Sequence, residues 1–197
     1  MTGEARFDAA LRARCALEHA ARGEVSWMVS RHYLGRWPGV VVCTLVLRLD
    51  GIGVGTAVFA LPPRETATRY GGVCWELARL WVEDSMPRNT ETWCIGKALR
   101  HVRREHPNVL FLVSYADPSA GHSGVIYRAS NWLYDGRTDA GRKTPRKDYR
   151  CGGKMYSRMA HLPPGEPYTL VPRVSKYRYV YPLHRQRPLT HPMKETP

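Results

Sequence analysis

The chain has 197 residues, 43% of them hydrophobic, enough to bury one core and leave a tail. No apolar stretch approaches the roughly 20 residues a membrane-crossing helix needs, and the start, MTGEARFDAALRARC, has no hydrophobic signal core, so a cytoplasmic protein is expected. The net charge is +13, and residues 137–197 hold 14 Lys and Arg against 4 Asp and Glu, so the basicity belongs to the last third and implies a polyanionic partner.

Glu4 to Arg22 places Phe7, Ala10, Leu11 and Leu17 at helical period, and Gly23 is expected to end that helix. His32 and Tyr33 then precede the first apolar run. Val40 to Leu61 reads as two strands joined at Asp50-Gly51, a favoured hairpin pair. The DGIGVG within it superficially suggests a nucleotide loop, but another apolar run follows where that fingerprint must open a helix. Val73 to Val82 is a third strand in which Glu76 and Arg79 interrupt apolar residues, a costly placement unless the charges are paired or used.

Ser85 to Thr92, SMPRNTET, is a turn at the head of a helix over Glu91 to Glu105. Its free N–H groups, with Arg88, Asn89 and Thr90, form a candidate anion site. An ordinary capped helix is the alternative. Val109 to Asp117 is the next strand and Gly124 to Tyr134 the next helix, stopped by Gly136. On that helix Tyr127, Asn131 and Tyr134 share one face at i, i+4 and i+7, with aromatic core packing as the alternative reading. Asp117-Pro118 is either a turn former or a strand-end carboxylate able to accept a proton from an exocyclic amine.

Beyond Gly136, KMYSRMAHL reads as a strand, LPPGEPY as a loop, Lys176 to Leu183 as a final strand, and the residues to Pro197 as disordered. Arg142, Lys143, Arg146, Lys147, Tyr149 and Arg150, and then Lys176 and Arg178 among tyrosines, interleave charge with ring faces, as nucleic-acid surfaces do. A solvated basic loop and an amphipathic strand are the alternatives. The five cysteines lack any C-x-x-C pair and read as reduced thiols. The expected architecture is α/β with a mixed central sheet flanked by helices, residues 1–160 forming the main domain and 161–197 a basic strand and tail that complete it.

The path VCWELARLWV, capped helix, VLFLVSYAD, IYRASNWLYDG resembles the acyl-CoA-binding half of the GNAT acetyltransferase fold. More specifically, HYLGR (32–36), ELARLWV (76–82), PRN (87–89) and SYADPSAGHSGVIYRASNWLYDG (114–136) resemble the Mom family of bacteriophage DNA-modification proteins. The resemblance implies a transferase converting adenine in double-stranded DNA to an N6-carbamoylmethyl base, which protects the DNA from restriction. It implies an active site of His32, Tyr33, Arg79, Ser114, Asp117 and Tyr127. Asp117 would hold the N6 amine and take its proton, Arg79 would neutralise Asp117 or the donor, and Tyr127 would protonate the leaving group.

Acetyl-CoA or another acyl or aminoacyl donor is implied near Arg88, Asn89, Thr90 and Asn131, and iron near the His32-Tyr33 pair. The Gly-rich pyrophosphate loop of typical acetyltransferases is absent. An acetyltransferase acting on a protein or small amine, and a non-catalytic nucleic-acid-binding protein, remain open, as does the choice between a monomer and a homodimer.

Overall fold

A computed structural model describes residues 7–71 and 73–184. Asp8 caps a short helix α1 (Ala9–Ala13) by accepting from the Leu11 N–H, and the chain then enters strand β1 (Cys15–His19). The single helix expected over Glu4 to Arg22 is corrected here. Five of its residues pair antiparallel with β2 (Val41–Leu49), and the edge-strand pairing outweighs the helical period. Gly23 lies inside α2 (Arg22–Arg31) rather than ending a helix, and α2 buries Val25, Met28 and Val29.

The hairpin is as expected: β2 turns at Asp50 and Gly51, both at positive φ, into β3 (Ile52–Ala60). DGIGVG is thus a turn and a strand. After the short helix α3 (Arg64–Arg69), β4 (Cys74–Val82) pairs antiparallel with β3. Helix α4 (Thr90–Glu105) follows and buries Cys94, Ile95, Ala98, Leu99 and Val102, a stripe at helical spacing.

Strand β5 (Phe111–Ala116) runs parallel to β4, and it leads through a 3₁₀ turn at Pro118–Ala120 to α5 (Val125–Ala129). The helix expected to reach Tyr134 stops at Ala129. Asn131 takes φ 61°, and the remaining residues form β6 (Leu133–Arg137). Tyr127, Asn131 and Tyr134 therefore do not share a helical face.

A second, three-stranded sheet is built from β7 (Lys147–Cys151), β8 (Lys154–Tyr156) and β9 (Thr169–Pro172), in the order β8-β7-β9. KMYSRMAHL supplies only the three residues of β8. A boundary at residue 160 would cut this sheet, because β9 pairs with β7 across it. The last strand, β10 (Tyr177–Pro182), returns to the main sheet as expected and fills the gap between β5 and β6, antiparallel to both. The main sheet has the order β1-β2-β3-β4-β5-β10-β6. Residues 185–197, read as disordered from the sequence, lie outside the described residues.

The core runs along this sheet and under α4, from Leu45, Phe59 and Leu77 to Ile95, Leu112 and Tyr179. Each such side chain contributes about 1.5–3 kcal/mol on burial. Asp135 is wholly buried at the far edge, held by a fork from Arg69 (2.9 Å to each oxygen), by Arg178 Nε at 2.8 Å and by the Tyr70 hydroxyl. The two guanidiniums and the phenol hold its carboxyl far below the ordinary carboxylate range against the opposing effect of burial. Among the described residues no helix is long and apolar enough to cross a membrane.

Candidate active site

The parallel pairing of β4 with β5 is short. It covers Cys74 with Phe111, Trp75 with Leu112 and Glu76 with Val113, after which the strands part while each continues. A cavity of about 350 Å³ opens there, between the free halves of the two strands, the Gly121–Tyr127 segment and the His32–Leu34 segment. Parted parallel strands leave a crevice at their carboxyl ends, the usual place for a ligand in an α/β sheet.

Ser114 and Tyr127 form the floor. Ser114 Oγ lies 2.8 Å from the Leu77 carbonyl oxygen and 2.7 Å from the Tyr127 hydroxyl. The carbonyl can only accept, so when Ser114 gives it its one proton the phenol supplies the proton of the other bond. Burial pushes the Tyr127 phenol up to about 12, so it stays protonated at neutral pH. Its ring stacks 5.2 Å from Tyr179 on β10. The chain passes this wall at Gly124, whose φ is +81° and where any Cβ would stand 2.3 Å from the Tyr179 ring.

His32 and Tyr33 roof the cavity. Their rings lie 4.4 Å apart, and Tyr33 in turn lies 5.0 Å from His122. His32 Nδ1 accepts the Leu34 N–H at 3.2 Å, and desolvation with the field of Arg79 lowers the imidazole to about 4, leaving it neutral. Among the described residues, His32 belongs to no group of three His, Cys, Asp or Glu side chains close enough to share a metal ion. Iron at the His32-Tyr33 pair therefore gains no ligand cluster of that kind.

Arg79 is buried, and its Nε donates to the Arg36 carbonyl at 2.9 Å and an Nη to the Ala78 carbonyl at 2.5 Å. It is expected to neutralise Asp117 or the donor, but its donors tie the loop carrying His32 and Tyr33 to β4. Arg79 also lines the cavity. Asp117 is buried, is not among the residues that line the cavity, and has both oxygens engaged: Oδ1 accepts from the Ser119 N–H at 3.0 Å and the Ser119 hydroxyl at 2.5 Å, and Oδ2 pairs with Lys176 Nζ at 2.8 Å. Burial pushes its carboxyl up, but the Lys176 and Ser119 bonds prevail and hold it below its ordinary value. An acid so stabilised as its anion is a poor base.

The carboxylate that does face the cavity is Glu76. Desolvation raises it to about 7 against the lowering fields of Arg79 and Lys176, so at neutral pH it is poised between its two protonation states. Its signal in the sequence was an acidic residue breaking an apolar strand. Lys176, read there as a phosphate contact, lines the same cavity.

The other expected binding residues lie apart. Arg88 and Asn89, with Val125 and Ala129, border a separate groove of about 310 Å³ at the head of α4. Asn89 sits at φ 72° with its side chain capping none of the helical N–H groups, and the Thr90 hydroxyl donates to the Pro87 carbonyl at 2.6 Å. Glu83, Asp84 and Glu91 line that groove beside Arg88, and the turn from 83 to 89 has no glycine, unlike the Gly-rich pyrophosphate loop of typical acetyltransferases. Asn131 is exposed in the turn after α5, away from both cavities.

Of the basic residues, Arg178 is committed to Asp135, while Arg142 and Arg146 stand 3.8 and 2.9 Å from Asp139. Lys143, Lys147 and Arg150 are exposed on and beside the small sheet, and Tyr149 packs edge-on against Tyr168 at 5.3 Å.

Solved structures similar to this chain share its fold. They include an IAA acetyltransferase from Bacillus cereus (TM-score 0.54, 9% identity, covering 85% of this chain and 99% of that one) and a ribosomal-protein-S5-alanine acetyltransferase from Vibrio fischeri (0.55, 8%, 89% and 96%). A putative acetyltransferase from Salmonella typhimurium, solved with acetyl-CoA, matches at TM-score 0.54 and 10% identity over 88% of this chain and 96% of that one. The fold is that of the GNAT acetyltransferases. In sequence, the chain is 30% identical over 123 residues to the methylcarbamoylase Mom of Escherichia phage Mu, which covers 56% of this chain and 48%, about half, of that relative. The family model of the Mom proteins matches residues 18–197, and the chain belongs to the Mom protein family.

Proposed function

We propose that this chain is a DNA-modifying transferase that draws an adenine out of the duplex into the cavity between β4 and β5 and places an acetamido-type group on its N6 nitrogen. The observation that carries the chemistry is Glu76, a carboxyl raised to about 7 on the wall of a cavity of adequate size. The kinship with the phage Mu methylcarbamoylase supports the substrate class.

An exocyclic amine delocalised into a purine is a poor nucleophile, and a base with a pKa near ambient pH is best matched to take its proton as the new bond forms. Glu76 is that base, in the role the sequence suggests for Asp117. Arg79, and with it Lys176 held by Asp117, set the field that opposes desolvation at Glu76. Tyr33 and His122 offer ring faces at the mouth, and stacking there contributes about 1–3 kcal/mol toward the few kcal/mol that extrusion of a base costs. Tyr127 offers its phenol proton to an anion forming in the cavity by turning from Ser114, losing about 1 kcal/mol of buried hydrogen bond.

The donor is an activated acyl group that carries an amine, as an aminoacyl group does, because a plain acetyl lacks the nitrogen of the product; the N6–carbon bond forms as the donor's bond to its leaving group breaks, Glu76 takes the N6 proton and Tyr127 protonates the leaving group. The acetyltransferase fold supports an acyl-CoA source, but the groove at the head of α4 lacks the Gly-rich pyrophosphate loop, so these steps involve the protein's own residues only. Exposed Lys147 and Arg150 on the small sheet and Lys143 beside it supply phosphate contacts.

Nucleoside mass spectrometry of DNA from cells producing the chain is the test. A new adenine adduct, lost with Glu76→Gln while DNA binding persists, is expected. Unmodified DNA from cells holding the folded wild-type protein overturns the reading.

A further inference from the structure

Away from the cavity, three side chains converge with no role in the reaction above. Cys43 on β2, His101 on α4 and His106 at the end of α4 hold their ligand atoms within 4.8 Å of one another. Cys43 is 3% exposed, and the two histidines are half-buried. Among the described residues none of the three side chains makes a hydrogen bond or ion pair that would account for the cluster. We propose that Cys43, His101 and His106 form a Zn²⁺ site, separate from the β4/β5 cavity and independent of the function assigned to it.

The donor set fits. One thiolate and two imidazoles are the borderline-soft ligands that Zn²⁺ prefers over calcium or magnesium. Bonds of about 2.0–2.3 Å around a tetrahedral centre need ligand atoms about 3.3–3.8 Å apart, a small rotamer adjustment from the present spacing. His106 also closes a helix whose last carbonyls carry partial negative charge, a favourable place for a cation. Its ring lies 4.6 Å from Trp75, and both border a groove that also holds Glu105 and Asn108.

Burial lifts the Cys43 thiol to about 11, so the thiol meets the metal protonated. On binding, the S–H bond breaks, the Zn–S bond forms and the proton leaves to solvent. The bound ion would clamp the C-terminal end of α4 to β2 across the core.

The experiment uses the full chain, stripped of metal under a non-thiol reductant and titrated with Co²⁺. One equivalent is expected to give a thiolate-to-cobalt charge-transfer band and tetrahedral d–d bands, both erased by one equivalent of Zn²⁺. Cys43→Ala should lose the charge-transfer band. His101→Gln, at a half-buried position that tolerates a polar side chain, should weaken Co²⁺ binding by at least about 10–100-fold. His32→Ala should leave the spectrum unchanged. The proposal is overturned if wild type shows no charge-transfer band, if the band survives Cys43→Ala, or if His32→Ala removes it while His101→Gln does not.

Discussion

Lys176 Nζ stands 2.8 Å from Asp117 Oδ2, and of the two residues only the lysine reaches the cavity. On the proposed reading, the aspartate that the strand-end motif advertises works through a neighbour. The lysine's field in turn falls on Glu76, which it pulls down against desolvation. Three residues from β4, the end of β5 and the entry to β10 form one electrostatic unit.

Glu76→Gln should lower modification by about 10²–10⁴-fold with DNA affinity unchanged. In wild type the single-turnover rate should rise with pH through about 7 as the carboxyl ionises. The stability effect has the opposite sense. A carboxyl whose folded value is raised contributes stability fully present below its ordinary value of 4.5, and that contribution is lost as pH climbs through about 7. Glu76→Gln should therefore melt higher than wild type at pH 8 and nearly the same at pH 4.

Asp117→Asn distinguishes a positioning role from a catalytic one. Without its partner anion, the Lys176 ammonium acts more strongly on Glu76, and the midpoint of the pH–rate profile should move to the acid side of wild type. A rate loss at an unmoved midpoint would return Asp117 to the role of base.

Tyr127→Phe deletes the partner of Ser114 while keeping the ring stacked on Tyr179. It should cost about 1 kcal/mol of stability and about 10²-fold or more in modification. Gly124→Ala should be worse for the fold. It places a Cβ 2.3 Å from the Tyr179 ring at a backbone angle of +81°, and thermal melting should register a loss of more than about 1–3 kcal/mol.

Neutralising Lys143, Lys147 and Arg150 together should flatten the dependence of log affinity for DNA on log salt by about 0.9 per lost phosphate contact. Arg178→Ala should act differently. It strips one of two cations from the buried Asp135, which keeps Arg69 and Tyr70, and should destabilise the protein by about 1–3 kcal/mol, with the salt slope of the remaining folded molecules unchanged.

Periodicity read the hairpin, β4, α4, β5 and β10 from the chain because each has a run of at least six residues with a single pattern. It failed on the other short elements, those of three to six residues, and on α2, ten residues of which only Val25, Met28 and Val29 are buried. CALEH carries too few positions to distinguish an edge strand from the end of a helix, and IYRASNWLYDG conceals its break at Asn131, whose left-handed conformation no period reveals. The site was legible as a set of residues rather than as a geometry. His32, Tyr33, Arg79, Ser114 and Tyr127 do surround one cavity, but which carboxylate faces it depends on where two strands part. Lys176 lies 59 positions beyond Asp117 and meets it only because β10 folds back beside β5.

That return of the chain has a consequence for synthesis. Until Lys176 and the strand behind it leave the ribosome, the edge of β5 away from β4 is bare, Glu76 has Arg79 but not Lys176 for a cationic neighbour, and the Tyr127 ring has Trp132 but not Tyr179 beside it. On the proposed reading, a translation product that stops short of β10 lacks that lysine and that ring and is expected to be inactive.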